Sequence, residues 1–340
     1  MSGIGFDAGT YNLICAKRDE NGNFTHNREV NAFLELELEN KFVFNMMKKN
    51  NVPLIEREDA NVAYVLGESA MKMAYTMKNL EIKRPMKDGC VNPKERDAFQ
   101  IMSLAIHSLV GEIERDREVL LFSVPANAIN QETDADYHSK ILQSIFDAYE
   151  SEKGYKLDAR PINEGMCLVY SAFEDKMFTG IGVSCGAGMV NVAFGLYGAE
   201  VFSFALVNSG DWIDRQAARA TSESIAFINK EKQKIDLSKE PETLVERAIK
   251  TQYELMIEKT VAGIKRGLEE NEEKNARLDE PVNIVVAGGT SSPPGFDVLF
   301  EKYIREIELP IEIGSVVRPE KPLFGVAQGA LIAAENSSND

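Results

Sequence analysis

The sequence predicts an α/β protein built of two similar domains that face a shared cleft. Three observations support this: a chain of 340 residues with 44% hydrophobic residues, a strand, turn and strand at residues 4 to 16, and the same layout again at residues 182 to 192. A chain of this length can bury two hydrophobic cores. Two matching turns about half a chain apart indicate two matching domains.

The first turn lies within Ile4-Gly5-Phe6-Asp7-Ala8-Gly9-Thr10-Tyr11-Asn12-Leu13. Apolar residues lead up to Asp7, Gly9 supplies backbone freedom, and a β-favouring run follows. Such a turn can direct several backbone N–H groups at one anion, while Thr10 and Asn12 add side-chain hydrogen bonds and Asp7 can hold a hydrated cation. This chemistry suits a nucleotide phosphate tail with magnesium. An ordinary β-hairpin carries the same pattern, so this stretch alone leaves both interpretations open.

The second turn lies within Gly182-Val183-Ser184-Cys185-Gly186-Ala187-Gly188-Met189-Val190-Asn191-Val192. Gly186 stands to its strand as Gly9 stands to the first strand. We therefore expect each domain to offer one phosphate-binding hairpin to the shared cleft. The candidate contacts are Gly9, Thr10, Tyr11 and Asn12 from the first turn, and Gly186, Ala187 and Gly188 from the second.

This pair of turns resembles the actin and heat-shock-chaperone ATPase superfamily, and the resemblance extends from end to end of the chain. It is closest to MreB, the bacterial cell-shape actin, because Arg84-Pro85-Met86-Lys87-Asp88-Gly89 is similar to the segment by which MreB leaves its inserted subdomain. The resemblance implies two duplicated ribonuclease-H-like domains. Their expected bounds are 1–177 for domain I, with an inserted subdomain at about 24–90, 178–324 for domain II, with a reduced insertion, and 325–340 for a C-terminal helix that returns to domain I.

Two helix starts carry further candidate residues. Glu164 opens an apolar helix, where a carboxylate commonly serves only the helix dipole; the resemblance gives it the role of orienting the attacking water. Gly210 and Asp211 open a second helix, whose free N–H groups and positive dipole suit phosphates. For Asp211 a role limited to capping stays open.

Two further stretches are similar to adenosine-binding elements. Glu231, Lys234 and Ser238 have the spacing of the chaperones' adenosine helix, although a Glu and a Lys three residues apart are commonly a solvated ion pair. The chaperones' stacking Arg is Ile235 here. The adenosine motif, 284–296, is an apolar strand that breaks into a double glycine, where a Cβ would collide with a planar ligand. Its candidate contacts are Gly288, Gly289 and Thr290.

The second turn departs from its relatives at two positions. Ser184 stands where the second turn normally has an Asp that helps to hold the metal's water shell, and Ala187 stands where actin has a further Asp. Fewer carboxylates near magnesium should weaken metal binding or slow hydrolysis. We therefore expect a slow ATPase, with a nucleotide sensor that does not hydrolyse as the alternative at this site.

The resemblance implies an actin-like, MreB-type prokaryotic cytoskeletal protein that binds Mg²⁺ and ATP between its domains, uses Asp7 and Glu164 for slow hydrolysis, and polymerises into filaments. The alternative is a monomeric, nucleotide-switched protein that acts like a chaperone or as a scaffold. The sequence does not distinguish ATP from GTP.

Composition excludes other classes. A net charge of −16 and a pI near 4.8 argue against nucleic-acid partners and anionic membranes, which repel an acidic surface. The chain starts without a signal peptide, and no apolar run approaches the ~20 residues that span a bilayer. With no amphipathic helix before Ile4, we expect a cytoplasmic protein that does not insert into membranes. The four cysteines and three histidines show no metal-ligand spacing.

Overall fold

The computed structural model describes residues 3–37, 41–50, 52–57, 62–76, 81–95, 97–113, 116–151, 153–275, 278 and 280–337. Its strands are β1 (Ile4–Ala8), β2 (Asn12–Arg18), β3 (Phe24–Val30), β4 (Phe33–Glu37), β5 (Leu54–Arg57), β6 (Val62–Leu66), β7 (Met86–Lys87), β8 (Cys90–Val91), β9 (Arg117–Val124), β10 (Lys156–Asn163), β11 (Gly180–Cys185), β12 (Val190–Leu196), β13 (Ala199–Leu206), β14 (Val282–Ala287) and β15 (Ile313–Val317).

The helices are α1 (Lys41–Lys49), α2 (Gly67–Thr76), α3 (Ala98–Val110), α4 (Ala135–Asp147), α5 (Glu164–Ala172), α6 (Gly210–Thr221), α7 (Ile225–Lys232), α8 (Leu244–Glu269), α9 (Glu272–Asn275), α10 (Phe296–Glu306) and α11 (Gly325–Ser337). Short 3₁₀ turns occur at Glu174–Lys176, Gly289–Ser291 and Pro322–Phe324. Among the described helices, none is long and apolar enough to cross a membrane.

The chain builds the same five-stranded sheet twice. The first sheet has the order β10-β9-β1-β2-β3, and the second, read from its other edge, has the order β15-β14-β11-β12-β13. In each sheet the first three strands along the chain pair antiparallel with their neighbours. The fourth strand pairs parallel with the first, and the fifth pairs parallel with the fourth. The central strands, such as β11 and β14, are buried along almost their whole length, whereas the edge strand β3 is largely exposed. The two units that the sequence pattern predicted therefore have the same strand topology.

Each sheet has its own hydrophobic core. In the first unit, Phe6 of β1 meets Phe146 of α4 edge to face at 5.4 Å, and Phe122 of β9 stacks on the same ring at 5.0 Å. In the second unit, α8 packs on β13, and Gly263 and Gly267 leave room for the rings of Phe204 and Phe202. Burial of such rings is the main free-energy term that holds each unit together.

The inserted subdomain is a three-stranded sheet, β4-β6-β5, with α1 and α2. We expected it from about residue 24, but β3 (Phe24–Val30) pairs with β2 along its whole length. That pairing extends the core sheet, so the separate sheet begins only at Phe33. A hairpin of continuous register keeps β3 in the parent sheet because every residue of it has a partner there.

The two units are joined by helices and by a strand edge. Helix α11 packs against α5, and a Cβ on Gly329 would lie 1.6 Å from the carbonyl oxygen of Cys167, so the close crossing requires glycine. At the far edge of the second sheet, the amide of Ala205 donates to Asn127, and the amide of Ile129 donates back to Ala205. The units therefore meet through contacts at two separate places, and a cleft lies between the two sheets.

Candidate functional site

A cleft of about 680 Å³ lies between the two sheets. Both turns predicted from the sequence open into it, one from each unit. Its lining includes the predicted Asp7, Gly9, Thr10, Tyr11, Asn12, Glu164, Gly186, Ala187, Gly188, Asp211, Gly288, Gly289 and Thr290. The structure thus brings together residues that lie up to almost 300 positions apart in the chain.

The two turns have the same hydrogen-bond geometry. The amide of Gly9 donates to the carbonyl of Asn12 at 3.0 Å, and the amide of Gly186 donates to Met189 at 2.9 Å. A Cβ on Gly9 would lie 2.7 Å from the oxygen of Asn12, so the turn is closed by glycine. Each unit therefore presents the same tight hairpin to the cleft.

The tips of the two hairpins touch. A Cβ on Gly188 would lie 2.3 Å from Oγ1 of Thr10 and 2.4 Å from the amide nitrogen of Gly89. The segment that ends at Gly89 comes from the first unit and passes directly over the second hairpin. The hairpins are thus close enough to contact one small anion from both sides, as the duplicated motif requires.

One polar atom in the first hairpin points to a ligand. The Oδ1 of Asn12 is buried and has no hydrogen-bond partner among the described residues. A buried carbonyl-type oxygen without a partner is unfavourable by the desolvation free energy of the group. A ligand or an ordered water in the cleft would satisfy it.

Two carboxylates, Asp7 and Glu164, lie at the bottom of the cleft. Burial raises the pKa of Asp7, and the hydrogen bond donated by Ser123 at 3.0 Å opposes that rise. Burial also raises the pKa of Glu164, and repulsion by Asp7 raises it further. Two desolvated carboxylates that repel each other favour a cation between or beside them.

Glu164 is held from the second unit. Its Oε2 accepts hydrogen bonds from Nδ2 of Asn191 at 2.9 Å and from Oγ of Ser184 at 3.2 Å. The Oδ1 of Asn191 accepts from the amide of Ala126 in the first unit. Asn191 therefore fixes both a loop of the first unit and the orientation of the carboxylate.

Asn191 and Ser123 were not among the residues predicted from the sequence. The available signal for Asn191 was its place opposite Ser184 in the second hairpin, the position that Ile14 takes opposite Asp7 in the first. A polar residue at a buried strand position that is apolar in the sister copy marks a contact outside the sheet. Ser123, which also accepts from the amide of Ala8, had no such marker in the sequence.

The start of α6 supports the second hairpin from behind. The amides of Gly210 and Asp211 donate to the carbonyls of Gly186 and Ala187 at 3.2 and 2.8 Å. These two N–H groups were expected to face phosphates; in this structure they hold the hairpin instead. The side chain of Asp211 accepts from Arg84 of the first unit at 2.9 Å. Among the described residues, the side chain of Ser209, the N-cap residue, forms no cap hydrogen bond with this helix start.

The double glycine ends β14 beside the cleft. Gly288 has φ +95°, and a Cβ there would lie 2.5 Å from the carbonyl of Cys185, so this position requires glycine for the fold itself. A Cβ on Gly289 would meet only Leu323, at 3.6 Å, and would otherwise enter open space. Thr290 donates to the carbonyl of Gly186 at 2.8 Å and ties this loop to the second hairpin.

The residues taken from the adenosine-helix spacing lie elsewhere. Lys234 and Glu231 form an ion pair of 2.6 Å with each other, and Ser238 donates to Asp236. Glu231, Lys234 and Ser238 are not among the residues that line the cleft. One position along α7 changes the direction of a side chain by about 100°, and this brings a different residue, Lys232, to the cleft side.

Lys232 is buried between α6 and α7. Its Nζ donates to the carbonyl of Gly210 and lies 2.8 Å from Oδ1 of Asp214, while Asn229 donates to Oδ2 of Asp214. Lys232, Asn229 and Gln233 line the cleft opposite Pro293 and Pro294. Lys232 thus supports the helix start that holds the second hairpin.

A five-stranded unit repeated twice, with a matching hairpin from each copy at one cleft, defines the two-domain fold of the actin-like ATPases. A sequence model of the family described as Volactin matches residues 1–334, and the chain belongs to the volactin family. No curated protein matches the chain by sequence.

Solved structures of low sequence identity share the fold. A MamK double helical filament is similar with a TM-score of 0.70 and 18% identity, over 98% of each chain. MreB 5 of Spiroplasma citri bound to AMPPNP is similar with a TM-score of 0.66 and 16% identity, over 99% of this chain and 97% of that one. EutJ from Carboxydothermus hydrogenoformans, an ethanolamine utilization protein, has a TM-score of 0.52 and 17% identity, over 98% and 90%.

Proposed function

We propose that this protein is an MreB-type cytoskeletal protein that binds Mg-ATP between its two domains, polymerises into filaments and hydrolyses ATP slowly. The observation that carries the proposal is the contact of two equivalent hairpins, one from each unit, at one cleft. The similar MamK structure is a double helical filament, and the similar MreB 5 structure is bound to AMPPNP.

The cleft suits a nucleotide in size and in chemistry. Its volume of about 680 Å³ falls within the roughly 300 to 1,000 Å³ of small-molecule sites. At one end, the hairpins offer backbone groups and the Oδ1 of Asn12, which has no hydrogen-bond partner within the described part of the chain. At the other end, the open space beside Gly289 and the apolar rings of Pro293 and Pro294 can receive a planar base.

The residues present also fit magnesium. Asp7 is a desolvated carboxylate at the hairpin, with Glu164 as a repelling neighbour, and a cation relieves this repulsion. We assign Asp7 to hold the ion through its water shell. A bound magnesium ion supplies positive charge against the phosphates.

Glu164 is the residue that we assign to orient the attacking water. Ser184 and Asn191 both hold its Oε2, so its direction is fixed before a ligand arrives. Positioning and charge stabilisation carry most of the catalysis in phosphoryl transfer. Ser184 adds a hydroxyl but no charge where a carboxylate would strengthen metal binding, which is why we expect slow hydrolysis.

The proposal is tested by three measurements on the same protein. A fluorescent ATP analogue reports binding with and without Mg²⁺, phosphate release reports hydrolysis, and sedimentation with negative-stain microscopy reports filaments. We expect Asp7→Asn to lose Mg-dependent binding and Glu164→Gln to bind ATP but lose turnover. The exposed Asp136→Asn and Glu273→Gln serve as matched controls.

Each result bears on a separate part of the proposal. If the protein does not bind ATP with Mg²⁺, the whole function is wrong. If it binds ATP but stays monomeric at tens of micromolar, the filament part is wrong and a nucleotide-switched monomer replaces it.

A further inference from the structure

The hydroxyl of Ser123 connects the carboxylate of the proposed metal site to a neighbouring strand. Ser123 lies near the end of β9, which runs beside β1, and its side chain is fully buried. Its Oγ donates to Oδ1 of Asp7 at 3.0 Å and accepts from the amide of Ala8 at 3.1 Å. One hydroxyl therefore holds both the carboxylate and the backbone that directly follows it.

These two hydrogen bonds have only one possible direction. A backbone N–H can only donate, so Oγ of Ser123 must accept from Ala8, and its single proton is left for Asp7. An ionised carboxylate only accepts, and this is the form of Asp7 that suits a cation. Oδ1 of Asp7 is thereby committed to Ser123. Within the described part of the chain no hydrogen bond is made to Oδ2, so this oxygen is left for the cleft, which Asp7 lines.

The second unit provides an internal comparison. Ser184 is the equivalent of Asp7, because each lies two residues before the glycine that closes its hairpin. Strand β9 runs parallel to β1 and brings Ser123 to Asp7, and β14 runs parallel to β11 and pairs Ala287 with Ser184. Ala287 therefore stands where the first unit has Ser123.

The carboxylate and the buried hydroxyl occur in the same unit. The unit with Asp7 has Ser123 beside it, whereas the unit without this carboxylate has the methyl group of Ala287, and both Ser123 and Ala287 are 0% exposed. A buried hydroxyl is unfavourable unless it is hydrogen-bonded, so a hydroxyl is expected at this position only where a partner requires it. The duplication therefore associates Ser123 with the carboxylate of Asp7.

The bond from the amide of Ala8 gives Ser123 a structural role as well. The pairing of β1 with β9 ends at Phe6, whereas the pairing of β11 with β14 continues to Ser184. The side chain of Ser123 thus takes up a backbone group just beyond the end of the strand pairing. A role limited to this backbone contact would not involve Mg²⁺, so the two roles predict different responses to the ion.

We propose that Ser123 is a positioning residue for magnesium, which holds Oδ1 of Asp7 so that Oδ2 is left to accept from the water shell of the ion. This rests on the proposed function, in which Asp7 holds Mg²⁺ through water. A carboxylate that is held before the ion arrives loses less conformational freedom on binding. The hydrogen bond from Ser123 therefore strengthens magnesium binding.

Substitutions of Ser123 test this role by the affinity for a fluorescent ATP analogue, titrated against Mg²⁺ and repeated in EDTA. Ser123→Ala should need about tenfold more Mg²⁺, because it loses a hydrogen bond to a charged group, and it should bind the analogue in EDTA as the wild type does. Ser123→Thr keeps the hydroxyl and should stay within about twofold of the wild type. Ser123→Cys keeps the shape with a weaker donor, should show most of the loss, and provides the test if Ser123→Ala does not fold.

Thr260→Val is the matched control for the loss of a buried hydroxyl. Thr260 is 1% exposed, its hydroxyl donates to the carbonyl of Met256 within α8, and it is not among the residues that line the cleft. Thr260→Val and Ser123→Ala should both lower the melting temperature in EDTA, because each removes a buried hydrogen bond. Only Ser123→Ala should change the Mg²⁺ requirement.

A double-mutant cycle shows whether Ser123 acts through Asp7. Asp7→Asn alone and Asp7→Asn combined with Ser123→Ala should bind the analogue equally at each Mg²⁺ concentration, because the carboxylate that Ser123 positions is already lost. A further weakening in the double variant would show that Ser123 acts by another route, and the inference would be wrong.

The outcomes separate this inference from the proposed function. If Mg²⁺ does not strengthen binding of the analogue to the wild type, the proposed metal site is wrong, and the role of Ser123 with it. If the wild type and Asp7→Asn behave as proposed but Ser123→Ala has the Mg²⁺ requirement of the wild type, Ser123 supports only the backbone and the inference alone is wrong. The inference is also wrong if Ser123→Thr shows the same loss as Ser123→Ala.

Discussion

Arg84 and Asp211 form an ion pair from one domain to the other, with Nη1 of Arg84 2.9 Å from Oδ2 of Asp211. On the same two segments, Asp88 and Arg215 lie 3.7 Å apart with the charges reversed. The guanidinium of Arg84 also lies 4.9 Å from the ring centre of Tyr11 in the first hairpin. The segment from Arg84 therefore joins one hairpin to the helix that supports the other.

Loss of this pair should loosen the cleft. We expect Arg84→Met to speed dissociation of a fluorescent ATP analogue by about threefold to tenfold, since a half-buried ion pair contributes roughly 1 kcal/mol or somewhat more. Arg266→Met breaks an exposed pair with Glu270 within α8 and is the matched control. Equal dissociation rates for the two variants would contradict a role of Arg84 in closure.

The double glycine offers a test that separates folding from binding. Gly288→Ala should destabilise the protein by roughly 2 kcal/mol, because its φ is positive and its Cβ would meet a backbone carbonyl. Gly289→Ala should change the melting temperature little and weaken ATP binding by at least about tenfold, because its Cβ would enter the open cleft. Thermal unfolding and equilibrium titration measure the two effects. Unchanged ATP affinity in Gly289→Ala would show that the ligand does not approach this backbone.

The carboxylate pair predicts how stability depends on pH. The raised pKa values of Asp7 and Glu164 mean that the folded state binds these protons more tightly than the unfolded state. Their contribution to stability is therefore complete below the ordinary pKa and is lost as the pH rises through the folded-state pKa, over a window from 4.5 to about 8 for Glu164.

In EDTA, the melting temperature should fall as the pH rises through this window, and Glu164→Gln should remove part of the fall. Mg²⁺ with ATP should offset it, because a cation favours the charged carboxylates. The exposed Glu273→Gln controls for general charge effects. Identical pH profiles of the melting temperature for Glu164→Gln and the wild type would show that the Glu164 carboxyl does not cause the fall in stability.

Ser184 tests the origin of slow turnover. Ser184→Asp should raise both magnesium affinity and the rate of hydrolysis, but it should lower stability without metal, because a new carboxylate replaces the hydroxyl that donates to Glu164. Ser184→Ala removes only that hydrogen bond, at a cost of about 1 kcal/mol. Phosphate release and melting temperature with and without Mg²⁺ give the comparison. If Ser184→Asp changes neither the magnesium affinity nor the rate of hydrolysis, the role assigned to Ser184 is wrong.

Not all predicted residues lie where the sequence pattern placed them. Gly9 and Gly186 close their hairpins as expected because a tight turn is decided by neighbouring residues. Glu231 and Lys234 were taken from a spacing alone, and they pair with each other instead. Spacing fixes which residues share a helix face, but the packing of α7 on α6 through Lys232 decides which face is turned to the cleft.

The sequence by itself determined the local units: two strand-turn-strand motifs, the apolar strand that precedes Gly288, and the helix start at Glu164, since each depends on residues close together in the chain. Only the tertiary structure decided the long-range pairs, among them Asn191 with Glu164 and Arg84 with Asp211. Such pairs form when folding brings distant segments together, and a single chain carries no local pattern for them.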